Sequence, residues 1–461
     1  MAVIGAFIMP HPPIIVPSVG KGEEQKIQKT AQAYAHAAEE IARMKPETLV
    51  VLSPHAVAYA DYLHISPGAT AKGDLSEFGS ADPPLEFDCD TQFVAALSEE
   101  AARRRIPAGT FGDKHRPIDH GALVPLTFIT QAYRDFRLVR CSISGLSALT
   151  HYRFGQCIAH TAELLDRRVI LIASGDLSHK LKGSGPYGYA EEGPQFDREV
   201  TAAMKAGDFM RFLTFDADFC EMAAECGLPS FQIMAGTFDG QSVLPEFLSY
   251  EGTFGVGYAV CGFTPLGPDD SRRFGKELEK GQKETLQKQK ENEDEYVRLA
   301  RLSLETWITK GQRASLPENL PPDLKERRAG VFVSLKKDGQ LRGCIGTIQA
   351  TRSCIAEEIM QNAVSAGTQD PRFDSVYEKE LPELVYSVDV LGKAEPAASF
   401  EELDAIRYGV IVRNGNRCGL LLPNLPGVKT PQEQVQIALR KAGIRETEPY
   451  TMERFEVVRH I

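Results

Sequence analysis

The sequence predicts two domains, an α/β unit followed by an α+β unit, and three observations carry that reading. Apolar runs such as Ala2–Ile8, Thr48–Leu52 and Val169–Ser174 have the uninterrupted hydrophobicity of strands buried on both faces of a mostly parallel sheet flanked by helices. The composition breaks between residues 265 and 292, where a Pro/Gly/Asp turn leads into a Lys/Glu-rich stretch almost without apolar residues. Beyond it come paired strand-like runs with turn residues between them, as in an antiparallel sheet. The boundaries that follow are 1–264, a charged linker or exposed helix at 265–292, and 293–461.

At 461 residues the chain exceeds one typical domain. Its 43% hydrophobic content suffices for real cores, and its net charge of −11 argues against nucleic acid. The first residues lack the basic stretch of a signal peptide, and no apolar run approaches the roughly 20 residues of a membrane span, so a cytoplasmic protein is expected. Nine cysteines without a C-x-x-C pair suggest free thiols rather than disulfides or a structural zinc site.

In chain order, the first strand stops at Pro10, because proline cannot donate to a sheet ladder, and His11 follows at its C-terminal end. Residues 23–43 carry an amphipathic stripe and form a helix that crosses over to the next strand. That strand, 48–53, runs into Pro54-His55, so two histidines are expected from neighbouring parallel strands. Helices are expected near 91–104 and 146–166, with a strand at Phe136–Ser142. Asp119-His120-Gly121 opens a short helix, and strand 169–174 runs into Gly175-Asp176-Leu177-Ser178-His179. The region 192–236 is mostly helical, and 253–262 returns to strand. In the second domain, helix 296–310 precedes a hairpin turning at Asp338-Gly339 and a helix near 353–365. Strand 384–391, a hairpin turning at Asn414-Gly415-Asn416, helix 431–442 and strand 455–458 complete it.

Nine of the ten histidines precede the linker. His36, His64, His151 and His160 lack a strand-end context, and His115 reads as a surface loop residue. His11, His55, His120 and His179 all stand at strand or helix mouths, as the components of one site would. Two histidines plus a carboxylate hold non-haem Fe(II), and two more could carry protons for a substrate that chelates the metal. A zinc-bound water for hydrolysis is a weaker alternative.

These four motifs, in this order over about residues 1–262, resemble the class III extradiol ring-cleavage dioxygenases of the LigB type, a superfamily that includes the Memo proteins. The resemblance implies His11 and His55 as Fe(II) ligands and His120 and His179 in acid–base chemistry on a catecholic substrate. It implies a glutamate as third ligand, best matched by Glu225, with Glu251 a weaker match. Memo proteins carry cysteine there, which would make Cys226 the ligand. Asp119 and Asp176 would orient the histidines, although Asp176 could equally cap a helix.

Leu341-Arg342-Gly343-Cys344-Ile345-Gly346, Asp370-Pro371-Arg372-Phe373 and Gly419–Pro423 resemble the AMMECR family over about 293–461. Cys344 beside Arg342 is either a nucleophile or part of a tightly packed strand. Together the resemblances imply an Fe(II) extradiol-type dioxygenase of a small aromatic substrate, fused to a domain of unclear role. The alternative they imply is a Memo-like metal protein working without oxygenation beside a radical S-adenosylmethionine enzyme. A homo-oligomer is compatible with either.

Overall fold

A computed structural model describes residues 2–461 apart from His115, Asp338, Pro426 and Gly427. The expected loop position of His115 and the expected turn residue Asp338 therefore lie outside the described residues. The chain divides into two compact units, Met1–Gly281 and Gln282–Ile461.

The first unit contains β1 (Val3–Met9), α1 (Gln28–Met44), β2 (Thr48–Ser53), α2 (Thr91–Arg103), α3 (His120–Ala132), β3 (Arg137–Ser142), α4 (Ala148–Leu164) and β4 (Val169–Ser174). It continues with α5 (Glu192–Ala206), α6 (Leu228–Thr237), β5 (Gln241–Glu251) and β6 (Tyr258–Pro268). Six strands form one mixed sheet in the order β3-β2-β4-β1-β6-β5. The first four are mutually parallel, and β6 and β5 add an antiparallel hairpin at one edge.

β1 and β2 are parallel, as the crossover helix requires, but they are not neighbours. β4 lies between them, paired to β1 from Val3↔Val169 to Met9↔Ser174 and to β2 from Thr48↔Val169 to Leu52↔Ala173. The central position goes to a strand that is buried along its whole length. Its alternate residues feed two cores, Leu171 and Ala173 on one face and Ile170 and Ile172 on the other. Each such fully buried aliphatic side chain stabilises the fold by about 1.5–3 kcal/mol. Because the four strands are parallel, their C-terminal ends share one edge of the sheet.

The charged stretch forms α7 (Phe274–Asn292), a helix with Gly275 its one buried residue. The second unit then contains α8 (Glu295–Lys310), β7 (Val331–Lys337), β8 (Gln340–Gly346), α9 (Ile355–Thr368) and β9 (Leu384–Leu391). It ends with β10 (Glu395–Ala397), β11 (Gly409–Asn414), β12 (Arg417–Leu421), α10 (Pro431–Ala442), β13 (Thr451–Phe455) and β14 (Val457–His460). Two four-stranded antiparallel sheets result, β8-β7-β9-β14 and β10-β13-β11-β12. The architecture is α+β. Val331, Val333 and Leu335 of β7 share a core with α8 and α9, which turns Phe332 and Ser334 to the other face of the sheet.

Candidate metal centre

The C-terminal ends of β1, β2 and β4 deliver the groups that matter. His11, buried beyond Pro10, is held at three points. Its backbone N–H donates to Asp176 Oδ1 at 2.7 Å, and its Nδ1 lies 2.9 Å from Ser174 Oγ. Tyr34, from α1, donates its hydroxyl proton to the Pro10 carbonyl. The Ser174 hydroxyl spends its single proton on the Gly121 carbonyl at 2.5 Å, so it accepts from His11 Nδ1–H. That fixes the tautomer and leaves the lone pair of His11 on Nε2.

The lone-pair nitrogen faces His55, with the two Nε2 atoms 2.9 Å apart. His55 is held through its backbone, whose N–H donates to Ser53 Oγ at 3.2 Å. Ser53 in turn donates to Asp119, the residue that caps α3 by accepting from Ala122 N at 3.2 Å. A Cβ on Gly121 would sit 2.3 Å from Ser53 Oγ, so only glycine lets the start of α3 reach this serine.

Cys226 completes the group. Its Sγ lies 3.7 Å from His11 Nε2, and one donor atom from each of His11, His55 and Cys226 falls within 4.8 Å of the others. The thiol arrives through a contact between two loops: a Cβ on Gly175 would lie 2.1 Å from the Gly227 Cα. This close approach lets Asp176 N donate to Cys226 Sγ at 3.3 Å.

The donor group brought together here contains Cys226, the alternative, and the Glu225 side chain stands outside it. The glutamate side chain turns to the start of α6, where Oε2 accepts from Leu228 N at 2.6 Å. Burial pushes its carboxyl up to about 7. Glu251 is also engaged elsewhere, accepting from the backbone and side chain of Thr30 at 2.7 Å each. Asp176 caps no helix. It holds the His11 backbone, as an orienting residue would, and burial raises its carboxyl to about 7. Asp119 reaches the His55 backbone through Ser53, and its charge also acts on the His55 imidazole.

His120 and His179 flank the cluster. The His120 ring stands 4.1 Å from that of His55 and 5.5 Å from that of His11, centre to centre. His179 lies against Tyr187 at 5.0 Å, and its Nε2 is buried without a hydrogen-bond partner among the described residues. Burial, reinforced by the His55 charge, lowers both imidazoles to about 4, so both are neutral at pH 7. Burial lowers His11 and His55 as well. All four histidines and Asp176 open onto one cavity of about 730 Å³ whose remaining walls include Phe78, Tyr187, Phe254 and Tyr258. Sequence reasoning missed Ser174 and Ser53, though both are the last residue of a strand before a motif, and missed the aromatic walls entirely.

The fit to a metal can be tested on these distances. Nitrogen ligands about 2.0–2.1 Å from one ion at 90–110° lie about 2.8–3.4 Å apart, and a thiolate at about 2.3 Å lies near 3.6 Å from such a nitrogen at the wider angle. The observed 2.9 and 3.7 Å agree with that spacing. Three donor atoms facing one point, with His11 buried in the metal-binding tautomer and His55 exposed, fit a cation that substrate could reach.

In the second unit Cys344 sits apart from any histidine. The cation expected beside it, Arg342, is drawn away: it pairs with Glu380 at 3.0 Å and donates to the Asp374 carbonyl. The cause is a β-bulge. Leu335 pairs with Gly343 and Lys336 with Leu341, so Arg342 is the extra residue.

Comparison with known proteins agrees with both halves. The family model described as the catalytic LigB subunit of aromatic ring-opening dioxygenase matches residues 5–261, and the AMMECR1 model matches 297–460. A Clostridium acetobutylicum protein is 41% identical over 468 residues, covering 100% of this chain and 99% of its own. A Thermotoga maritima protein is 46% identical over 171 residues, 36% of this chain and 98% of its own. Among solved structures, a protein of unknown function from Pyrococcus horikoshii matches 36% of this chain and 88% of its own, with 30% identity and a TM-score of 0.34. One from Escherichia coli K12 matches 56% of this chain and 99% of its own, with 16% identity and a TM-score of 0.37. The chain belongs to the family of the catalytic LigB subunit of aromatic ring-opening dioxygenases, carried in one polypeptide with an AMMECR1 domain.

Proposed function

We propose that the first unit is a metal-dependent enzyme acting on a small hydroxylated aromatic compound, with the metal held by His11, His55 and Cys226. The observation that carries this reading is the meeting of His11, His55 and the Cys226 thiol, with both histidines on the wall of an aromatic-lined cavity. The volume, about 730 Å³, lies in the range of small-molecule sites, and Phe78, Tyr187, Phe254 and Tyr258 offer faces to a ring.

When bound, the metal would act as a Lewis acid that acidifies a coordinated phenolic hydroxyl. His120 and His179 would take and return the substrate's protons. Burial holds both imidazoles neutral, which leaves each a nitrogen lone pair able to accept a proton. Ser174 keeps His11 in the ligating tautomer, and Asp176 holds both the His11 and Cys226 backbones in place.

Two outcomes are open to a substrate so held. The family supports extradiol ring opening with Fe(II) and dioxygen. Cys226 in place of a carboxylate supports the second, a modification without oxygenation with iron, zinc or another divalent ion, since a thiolate makes a softer centre than the carboxylate triad of Fe(II) oxygenases. We favour the second, with a radical S-adenosylmethionine enzyme as a partner, on the strength of that thiol. Anaerobic loading with Fe(II), then air and a panel of catechols, tests it. No oxygen uptake and no yellow ring-opened product is the expected result, with catechol binding still visible as a charge-transfer band. Stoichiometric oxygen uptake would establish ring opening instead.

A further inference from the structure

Nothing in the proposed reaction uses the second unit, yet that unit contains a cleft of about 720 Å³ between the free face of the β8-β7-β9-β14 sheet and residues 420–425 and Lys441. The sheet register builds its floor. Cys344, Ser334 and Ser387 stand directly opposite one another on β8, β7 and β9, forming a row of three small polar side chains. The Ser334 hydroxyl donates to Cys344 Sγ at 3.2 Å. The adjacent row places Phe332 beside Asp389, and Asp389 opposite Arg459. Leu420, Leu421 and Leu422 form an apolar wall.

The charge of the cleft runs against that of the chain. Among the described residues, four cationic side chains line it, Lys336, Arg372, Lys441 and Arg459, with one carboxylate side chain, Asp389, and the last residue, Ile461. Arg459 pairs with Asp389 at 2.7 Å, and Arg372 pairs with Asp370 at 2.7 Å outside the lining. Lys336 and Lys441 are left in excess, in a protein of net charge −11. The same Asp370 accepts from Cys344 N at 2.8 Å, and Arg372 donates to the Cys344 carbonyl at 3.2 Å. Thus the Asp-Pro-Arg motif fixes the strand that presents the thiol.

We propose that this cleft is a second ligand site, which takes a small organic anion, an apolar body bearing a carboxylate or phosphate, and seats it against the Cys344 thiol. The leucine wall receives the body and the lysines receive the charge, while Cys344 and the two serines read its polar edge.

The test uses the full chain and resolves Cys344 by peptide mass spectrometry after brief alkylation with anionic iodoacetate or neutral iodoacetamide. The iodoacetate-to-iodoacetamide rate ratio at Cys344 should be about tenfold higher in the folded chain than in urea, because a cationic cleft concentrates anions. Lys336→Gln with Lys441→Gln should remove most of that excess, lowering the iodoacetate rate several-fold more than the iodoacetamide rate. Phenyl phosphate or phenylacetate should protect Cys344 at lower concentration than inorganic phosphate or acetate, and whichever of the two protects better identifies the head group. Equal ratios in the folded and unfolded chain, a thiol closed to both reagents, or protection indifferent to the phenyl group would each overturn the proposal.

Discussion

The two units concentrate their chemistry in opposite ways. In the first, the reactive groups stand beyond strand ends, because parallel strands bring their C-terminal ends to one edge of the sheet, whatever their separation along the chain. His11, His55 and Cys226 span 215 residues and still meet. In the second, the groups lie on the face of an antiparallel sheet, and they meet through register. One bulged residue decides that Cys344 faces the cleft while Arg342 turns to Glu380. An edge site is built by topology and depends on loop contacts; a face site is built by pairing and depends on each residue between its members.

The largest effect that could break this contrast lies at the edge. Cys226→Ser or His11→Ala should reduce bound metal from about one ion per chain to near zero, whereas Glu225→Gln should retain it, as measured by elemental analysis after dialysis. Equal loss in Glu225→Gln would remove the distinction drawn between the two adjacent residues. Next comes Ser174→Ala, which frees His11 to take the wrong tautomer. Metal affinity should fall about 10–100-fold in a chelator competition, the usual consequence of losing an outer partner of a ligand histidine.

Gly175→Ala should be smaller still. Its methyl would overlap the Gly227 Cα, and the loops must part, destabilising the first unit by about 1–3 kcal/mol in urea unfolding. The second unit, followed through the single tryptophan, Trp307, should be unaffected.

The smallest effect separates the units by pH. Burial raises the Asp197 carboxyl to about 6 in the first unit, where it accepts from Ser178 N and the Tyr250 hydroxyl. A raised carboxyl contributes stability that is fully present below its unfolded value, about 3.9, and lost as pH rises through about 6. In the second unit, the Arg372 hydrogen bonds hold Asp370 down at about 2. Its contribution is present above about 3.9 and lost as pH falls toward 2. Between pH 7 and 5 the Asp197 contribution alone should grow, read as a widening difference in first-unit stability between the native chain and Asp197→Asn, while the buried neutral histidines of the same unit work against it in both chains. The Trp307 signal of the second unit should not move.

Much of the edge site was legible, because strand, proline and histidine are local signals and a parallel sheet converts them into a shared location. The insertion of β4 between β1 and β2 was not, since β2 and β4 are both buried along their whole length and strand order does not follow chain order. Nor was the choice between Glu225 and Cys226. They are consecutive loop residues, and what separates them is the contact of Gly175 with Gly227, 52 positions apart. The domain types and most helices followed from periodicity. The cleft of the second unit did not, because its register and bulge leave no periodic trace.

X-ray absorption at the edge of the metal bound to the full chain addresses the central claim most directly. Two nitrogen scatterers at about 2.0–2.1 Å and one sulfur at about 2.3 Å are expected, with the sulfur lost in Cys226→Ser. A shell of nitrogen and oxygen alone, unchanged in that variant but altered in Glu225→Gln, would contradict the account.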